Sequence, residues 1–295
     1  MQIRNIGIVS PGDMGQAIAA RLGESGRNVF TALEGRSPRT AALAREAGLT
    51  DCGTLEKLVV SCDMILSILN PAAALDKARE VAAAVLKTGH KPVFADCNAL
   101  APATKSTIDS IIREAGGTFI DAGIIGSPPR GKNRVRLYVS GPHAHLFAQL
   151  KHPNLQVRVV SERIGDASAV KMCYGAVTKG VVALGTELLI AARRLGVENV
   201  LETEFRESLP EIHDWILNRV PTMPPKAYRW VPEMFEIART FEDAGMTPRL
   251  MQGAAELYEF VAATDLGRES PEQARQHHRS GSEVVRLLAA NSSGK

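Results

Sequence analysis

Short apolar runs alternate with amphipathic stretches over the first half of the chain. The apolar runs, which are typical of buried strands, cover residues 3–9, 28–33, 64–69, 92–96, 118–121 and 136–140. Between them, residues 13–25, 38–47, 72–86 and 102–115 place apolar side chains at helical spacing. Strands and helices that alternate in this way predict a doubly wound parallel sheet, an α/β fold.

The pattern changes after Gly165, where helical spacing replaces alternation. Apolar side chains recur at Cys173, Val177, Val181, Leu184, Leu188, Ala191 and Leu195. This spacing predicts one helix of about 30 residues. Further helices are predicted at 201–219, 231–244 and 248–263, and the last residues, 291–295, are expected to fray. The chain is therefore expected to have two domains, 1–162 with the sheet and 163–295 all-helical.

Composition and charge narrow the class of protein. The 295 residues are 45% hydrophobic and 23% charged, with a formal charge of +3, as in an ordinary globular protein. The densest basic stretch, 130–136, lacks interleaved aromatic residues, so nucleic acid is not an expected partner. The four cysteines are scattered and His277 and His278 are adjacent, so we expect neither a disulfide framework nor a metal site. No apolar run approaches the roughly 20 residues needed to span a bilayer, so we expect a cytoplasmic protein with no membrane partner.

A glycine-bearing turn follows the first predicted strand. It consists of Ser10, Pro11, Gly12, Asp13, Met14 and Gly15, a Gly-x-Gly-x-x-Gly pattern with serine in the first position. Gly12 would let a pyrophosphate approach the backbone, and Gly15 would let the helix pack on the strand. Ser10 precedes proline and is expected to be extended, so the turn would be made differently from usual. A turn without any ligand is the alternative, but the order of strand, turn, helix and strand favours a dinucleotide site.

The loop after the second predicted strand bears on which dinucleotide is bound. The Arg36 guanidinium and the neighbouring Ser37 hydroxyl suit the 2′-phosphate of NADP, so NADP(H) is predicted over NAD(H). In the alternative interpretation, Glu34 contacts the ribose hydroxyls and Arg36 is solvated.

These motifs together resemble the β-hydroxyacid dehydrogenase superfamily, which includes 3-hydroxyisobutyrate and 6-phosphogluconate dehydrogenases. The resemblance rests on the turn at Gly12, on Gly35 to Pro38, on Asp96, Cys97 and Asn98 followed by Pro102, on Phe119 to Ala122, and on Gly165 with Lys171. It implies a Rossmann-type domain, an all-α C-terminal domain, a homodimer, and cofactor contacts from Leu69, Asn70 and Asn98. The C-terminal half looks like a less characterised, divergent branch.

The resemblance also implies a catalytic residue. In this superfamily the lysine of Gly-x5-Lys, here Lys171, is the acid/base. The chemistry requires one, because the oxygen on the reacting carbon must lose or gain a proton as hydride moves. The alternative is a solvated lysine on a helix surface.

The substrate motif of the superfamily, Asp-x-x-Val-Ser-Gly-Gly, is altered in this chain. It implies substrate contacts from Asp121, Gly123, Gly126 and Ser127, but the serine that usually helps to hold a carboxylate is Ile125. An apolar or non-carboxylate substrate therefore becomes plausible.

A second departure lies four residues after the lysine, where Gly175 replaces the usual asparagine. Tyr174 and Thr178 lie on nearly the same helix face as Lys171 and are expected to supply a hydroxyl to the substrate. In the alternative interpretation Tyr174 is a core residue.

The sequence thus predicts an NADP(H)-dependent oxidoreductase that interconverts a β-hydroxyacid-like alcohol and a carbonyl, acting on a small molecule. Two alternatives stay open. One is an imine reductase, a group that shares this architecture but usually replaces the helix lysine. The other is a catalytically silent NADP(H)-binding protein.

Overall fold

An eight-stranded sheet forms the centre of the first compact unit, Met1–Met172, in the computed structural model, which describes residues 1–291. The strands are β1 (Asn5–Val9), β2 (Asn28–Thr31), β3 (Thr50–Asp51), β4 (Met64–Ser67), β5 (Val93–Asp96), β6 (Thr118–Ile125), β7 (Val135–Ser140) and β8 (Leu155–Ser161). Their order is β3-β2-β1-β4-β5-β6-β7-β8. The pairs from β3 to β6 are parallel, and only the β6–β7 pair is antiparallel. The predicted doubly wound sheet is confirmed.

Helices of this unit cover both faces of the sheet. They are α1 (Asp13–Glu24), α2 (Pro38–Glu46), α3 (Leu55–Ser61), α4 (Ala74–Thr88), α5 (Pro102–Glu114) and α6 (Ala144–Phe147). Because successive strand residues point to opposite faces, Met64 and Leu66 pack in the cluster that contains Ile18 of α1. Ile65 between them packs with Val81 of α4 and other residues of the opposite cluster. Both faces of the parallel sheet are therefore buried, as such sheets require.

Four elements of this unit, β3, α3, α6 and β8, were missed by the apolar pattern. Strand β3 has only two residues, helix α3 has seven, and β8 leaves Val159 and Val160 exposed at the edge of the sheet. Strand β6 also continues past the predicted end at residue 121, since antiparallel pairing with β7 runs from Asp121 to Ile125. The altered substrate motif is therefore part of a strand rather than a free loop.

The second unit, Cys173–Lys295, contains helices and no strand among its described residues. They are α7 (Asp166–Arg194), which begins in the first unit, α8 (Glu198–Ser208), α9 (Pro210–Leu217), α10 (Ala227–Asp243), α11 (Arg249–Ala263), α12 (Asp265–Arg268), α13 (Pro271–Gln276) and α14 (Gly281–Ala290). The prediction of a single helix at 201–219 was wrong. Pro210 lacks an N–H, so α8 ends before this proline and α9 begins at it. Residues 292–295, at the tip that was expected to fray, lie outside the described residues.

Helix α7 has 29 residues, close to the predicted length. The two units divide inside it, after Met172 rather than at residue 162. By length and composition alone α7 could cross a membrane, but a core helix meets the same criteria. Its first turn is hydrogen-bonded to a buried carboxylate of β6, as expected of a core helix.

Candidate functional site

The carboxyl ends of three strands of the first unit, β1, β4 and β5, lie side by side with Asp121 of β6 in one row across the sheet. Val9 of β1 pairs with Ser67 of β4, Ser67 with Asp96 of β5, and Asp96 with Asp121 of β6. The predicted cofactor segments, which follow these strands, therefore leave the sheet at the same edge. In open α/β sheets, ligands bind in the crevice outside the carboxyl ends of the strands.

The glycine turn after β1 has the backbone of a dinucleotide-binding elbow. The Gly12 N–H donates to the Ser10 carbonyl at 2.7 Å, and Ser10 has a φ of +61°. The expectation that Ser10 is extended was wrong, since the tight turn holds this serine in the left-handed region that a glycine usually occupies, at a cost of about 1 kcal/mol or more.

The two remaining glycines of the turn serve different purposes. A Cβ at Gly12 would meet only the Ser10 carbonyl, at 4.0 Å, and no side chain caps the start of α1. A Cβ at Gly15 would lie 3.3 Å from Ile8 Cγ2, so this glycine allows α1 to pack on β1. Pro11 is buried and Met14 packs against the core, whereas Asp13 is exposed. The open backbone at Gly12 fits the pyrophosphate of a dinucleotide.

Arg36 and Ser37 lie between β2 and α2, as predicted. The Thr40 N–H donates to Ser37 Oγ at 3.2 Å, so Ser37 is the N-cap of α2. Arg36 is half-buried, and Glu34 is exposed. The guanidinium of Arg36 is therefore the stronger candidate for a phosphate contact at this end of the site.

Asn98 is buried, and protein groups occupy both ends of its side-chain amide. The Leu69 N–H donates to Asn98 Oδ1 at 2.6 Å, and Asn98 Nδ2 donates to Ser67 Oγ at 3.0 Å and to Asp96 Oδ2 at 2.6 Å. Asn98 therefore holds the segment after β4 in place, and its predicted contact with the cofactor stays a prediction. In that segment, Asn70 Oδ1 accepts from the Ala72 N–H and begins the 3-10 helix Pro71–Ala73.

A buried ionic cluster below this edge was missed by the sequence analysis. Lys105 Nζ donates to Asp96 Oδ1 at 2.6 Å and to the Ala122 carbonyl at 3.0 Å, and it lies 3.3 Å from Asp121 Oδ1. Burial alone would lower the pKa of Lys105, but the carboxylates of Asp96 and Asp121 outweigh it, and the pKa is raised. The available signal was a lysine in line with Ile108 and Ile112 on the apolar face of α5.

Asp121 holds the start of α7. Its Oδ2 accepts from the N–H groups of Gly165 at 3.1 Å and Ser168 at 3.0 Å, and its Oδ1 accepts from Ser168 Oγ at 2.6 Å. Ser140 Oγ donates to the same carboxylate at 3.1 Å. The carboxylate thus caps the first turn and faces the positive end of the helix. Asp121 has no exposed surface, and its carboxylate positions the first turn of α7 in this structure, while its predicted contact with substrate stays a prediction.

Lys171 lies in the second turn of α7, directly over β6. A Cβ built on Gly123 would lie 3.0 Å from Lys171 Cβ and 3.2 Å from the Ala167 carbonyl. Any larger residue at position 123 would therefore displace the helix or the lysine stem. Lys171 is half-buried. Its stem packs against β6, near the carboxyl edge of the sheet.

The last three residues of the altered substrate motif differ in burial. Ile125, which replaces the usual serine, is buried in the core, whereas Gly126 and Ser127 are exposed after the end of β6. Gly126 has a φ of +127°, a conformation that favours glycine. Exposed backbone and hydroxyl groups are thus present at 126 and 127, and none comes from the side chain at 125.

Packing within the second unit leaves little room for an asparagine at position 175. A Cβ at Gly175 would lie 3.1 Å from Ile237 Cδ1 and 3.6 Å from Glu233 Oε1, both on α10. Side chains of α10 thus occupy the room that an asparagine would need, and Glu233 Oε1 accepts from Lys179 Nζ at 2.7 Å.

Tyr174 and Thr178, which are predicted to supply a hydroxyl to the substrate, both lie on α7. Tyr174 is 46% exposed, which disagrees with its alternative interpretation as a core residue, and Thr178 Oγ1 donates to the Tyr174 carbonyl at 3.0 Å.

Comparisons with known proteins agree with this geometry. The NAD binding domain of 6-phosphogluconate dehydrogenase matches residues 5–153, and a domain of unknown function matches residues 192–261. A solved conserved protein of unknown function, described as similar to 3-hydroxyacid dehydrogenases, is 31% identical, with 92% of this chain and 98% of that chain covered and a TM-score of 0.65.

Two further solved structures share the fold at lower identity. The Mycobacterium tuberculosis 3-hydroxyisobutyrate dehydrogenase is 18% identical, with 98% and 100% of the two chains covered and a TM-score of 0.70. A Streptomyces aurantiacus imine reductase is 17% identical, with 94% and 100% covered and a TM-score of 0.56. The resemblance found in the motifs is confirmed. The chain belongs to the family that carries the NAD binding domain of 6-phosphogluconate dehydrogenase, in a branch where a domain of unknown function follows it.

Proposed function

We propose that this protein is an NADP(H)-dependent oxidoreductase that interconverts a β-hydroxyacid-like alcohol and the corresponding carbonyl compound. The observation that carries the proposal is the position of Lys171. Its stem packs on Gly123. Gly123 lies two residues after Asp121, which is aligned across the sheet with Val9 at the end of β1. The Lys171 stem and the Gly12 turn thus belong to the same sheet, which supports a role for the lysine in proton transfer beside a bound dinucleotide.

The residues present fit a nicotinamide dinucleotide. Gly12 and the uncapped start of α1 would hold the pyrophosphate, and Arg36 would hold the 2′-phosphate that distinguishes NADP from NAD. Leu69 and Asn70, whose segment is held by Asn98, would line the site beyond β4. When bound, the cofactor accepts or supplies the hydride.

Lys171 performs the proton transfer in this proposal. In the oxidation direction its amine takes the proton of the substrate hydroxyl as hydride leaves the adjoining carbon. In the reduction direction its ammonium returns that proton to the carbonyl oxygen. Asp121 and Gly123 act through the lysine, because one holds the first turn of α7 and the other allows the stem to pack closely.

The substrate is proposed to be a small molecule that meets the exposed Gly126 and Ser127. Since Ile125 is buried, the side chain at that position supplies no hydroxyl for a carboxylate. The assignment of Tyr174 and Thr178 to the substrate rests on helix spacing and stays a prediction, as do the cytoplasmic location and the homodimer.

Substitution of the lysine tests the proposal. Lys171→Ala is expected to lower turnover by about 10²–10⁴-fold, the usual contribution of acid–base catalysis, because the substrate oxygen then lacks a proton acceptor. Binding of NADPH, measured by fluorescence titration, is expected to be unchanged. The matched control is Lys87→Ala, which removes an exposed lysine paired with Glu56 and is expected to leave turnover unchanged. Normal turnover in Lys171→Ala would refute the catalytic assignment.

Two alternatives are distinguished by a substrate screen that follows the nicotinamide absorbance. An imine reductase would turn over cyclic imines faster than the ketones of the same carbon skeleton. The presence of Lys171, at the position where those enzymes usually lack a lysine, favours the alcohol dehydrogenase reaction. A catalytically silent protein would bind NADPH tightly and oxidise or reduce no member of either panel.

A further inference from the structure

The loop between β6 and β7, residues 126–134, is braced from two sides. Asn154 Nδ2 donates to the Gly131 carbonyl at 3.0 Å and to the Asn133 carbonyl at 2.7 Å. Arg21 Nε, on α1, donates to the Pro129 carbonyl at 2.7 Å. The loop is therefore held against α1. These hydrogen bonds also fix the backbone on both sides of Arg130.

Arg130 reaches the start of α1 from this loop. Its Nη2 donates to Asp13 Oδ1 at 2.6 Å and to the Asp13 carbonyl at 3.2 Å. Asp13 is the first residue of α1 and follows Gly12, the residue whose open backbone fits a pyrophosphate. A guanidinium from a distant loop is thus located at the elbow itself.

The two charges at this elbow have opposite consequences for an anionic ligand. The Asp13 carboxylate is favourable for the helix dipole, but it repels a pyrophosphate at the same helix end. Arg130 offsets that repulsion. Both side chains are about half exposed, and an ion pair of this kind contributes little to stability, so Arg130 can exchange its carboxylate partner for a phosphate at small cost.

We propose that Arg130 is a cofactor-binding residue whose guanidinium moves from Asp13 to the pyrophosphate of the bound dinucleotide. This inference rests on the proposed function, since it assumes that a dinucleotide binds at Gly12. Guanidinium groups bind phosphate oxygens through charge-assisted, often bidentate hydrogen bonds. Because Gly126 and Ser127 belong to the same loop, the cofactor would also hold the backbone of the altered substrate motif in place.

Equilibrium titrations with NADPH and NADH test the assignment without any substrate. Arg130→Ala is expected to raise both dissociation constants by about tenfold and by the same factor, because the two dinucleotides share the pyrophosphate. Arg36→Ala is expected to weaken NADPH far more than NADH. Lys132→Ala, which removes an equal charge from the same loop, is the matched control and is expected to change either constant less than about twofold.

A second pair of variants separates direct contact from simple neutralisation of Asp13. If Arg130 contacts the pyrophosphate, Arg130→Ala weakens NADPH by a similar factor in the Asp13→Asn background. If the effect of Arg130→Ala disappears in that background, or if Arg130→Ala binds both dinucleotides as the wild type does, the assignment is refuted. Failure of the wild-type protein to bind either dinucleotide would refute the proposed function itself, and this inference with it.

Discussion

Lys105 is fully buried and ties the end of β5 to the middle of β6 through Asp96 and Asp121. We expect Lys105→Met to lower the free energy of unfolding by about 3–5 kcal/mol, because it leaves the carboxylates of Asp96 and Asp121 buried without their cation. Urea denaturation followed by circular dichroism measures the change. The matched control is Lys87→Met, whose ammonium forms an exposed pair, and it is expected to have no measurable effect.

The same lysine sets a pH dependence with a definite sign. Its pKa in the folded chain is raised above the ordinary value of 10.5, because the two carboxylates outweigh burial. The stabilisation is therefore complete below pH 10.5 and is lost only as the pH rises through the higher folded value. The difference in unfolding free energy between wild type and Lys105→Met should not fall across neutral pH and should shrink only in strong alkali. A difference that falls between pH 6 and 9 would contradict this account of the cluster.

Residues with local signatures were predictable, whereas residues defined by their partners were not. Gly12 and Gly15 were found because a turn between strand and helix needs glycine at set offsets. Asp121 was found by its motif, but its bonds to Ser168 were not predictable, since they join positions 47 residues apart. Only the packing of β6 against α7 reveals that this carboxylate is used by the protein itself.

Two helix glycines in the second unit are expected to respond in opposite ways to alanine. In Gly185→Ala of α7, the new Cβ would lie 2.7–2.9 Å from three atoms of Ile216 on α9, so we expect a loss of about 1–3 kcal/mol in unfolding free energy. In Gly253→Ala of α11, nothing lies within 4 Å of the new Cβ, so we expect a gain of up to about 1 kcal/mol from helix propensity. Thermal unfolding of both variants measures these changes, and equal shifts would contradict the close packing at Gly185.

Element prediction succeeded where one face of an element is apolar and failed where it is not. Helix α7 was predicted because its apolar side chains recur over its whole length. The end of α8 was missed because Pro210, at the start of α9, was taken into one continuous helix, although its ring disfavours a helical conformation at Leu209. Strand β8 was missed because its outer half is exposed, so that its sequence lacks the pattern of a buried strand.

The organisation of the whole chain follows from the order of its elements, but the substrate does not. Alternating strands and helices imply a sheet whose carboxyl edge binds the cofactor, and the family match over residues 5–153 agrees. In the proposed function the substrate meets exposed groups at Gly126 and Ser127, because Ile125, which replaces the usual serine of the motif, is buried. Activity measurements on a panel of alcohols and carbonyl compounds are therefore the route to its identity.

The proposed homodimer can be tested on an exposed apolar face of α7. Val177 and Leu184, seven residues apart on one face of α7, are 61% and 63% exposed in the single chain. Apolar side chains that recur on an exposed helix face are typical of a surface covered by another subunit. We expect the wild-type protein to have the mass of a dimer in light scattering, and Val177→Glu combined with Leu184→Glu to have the mass of a monomer, because buried unpaired carboxylates oppose association.

A control from the first unit keeps this test specific. Leu86 of α4 is 69% exposed, and Leu86→Glu adds the same charge at an equally exposed apolar position. This variant is expected to remain a dimer, because α4 belongs to the first unit and not to the α7 face on which the interface is expected. A monomeric wild-type protein would refute the homodimer. A dimer that survives both glutamates on α7 would instead place the interface on another surface.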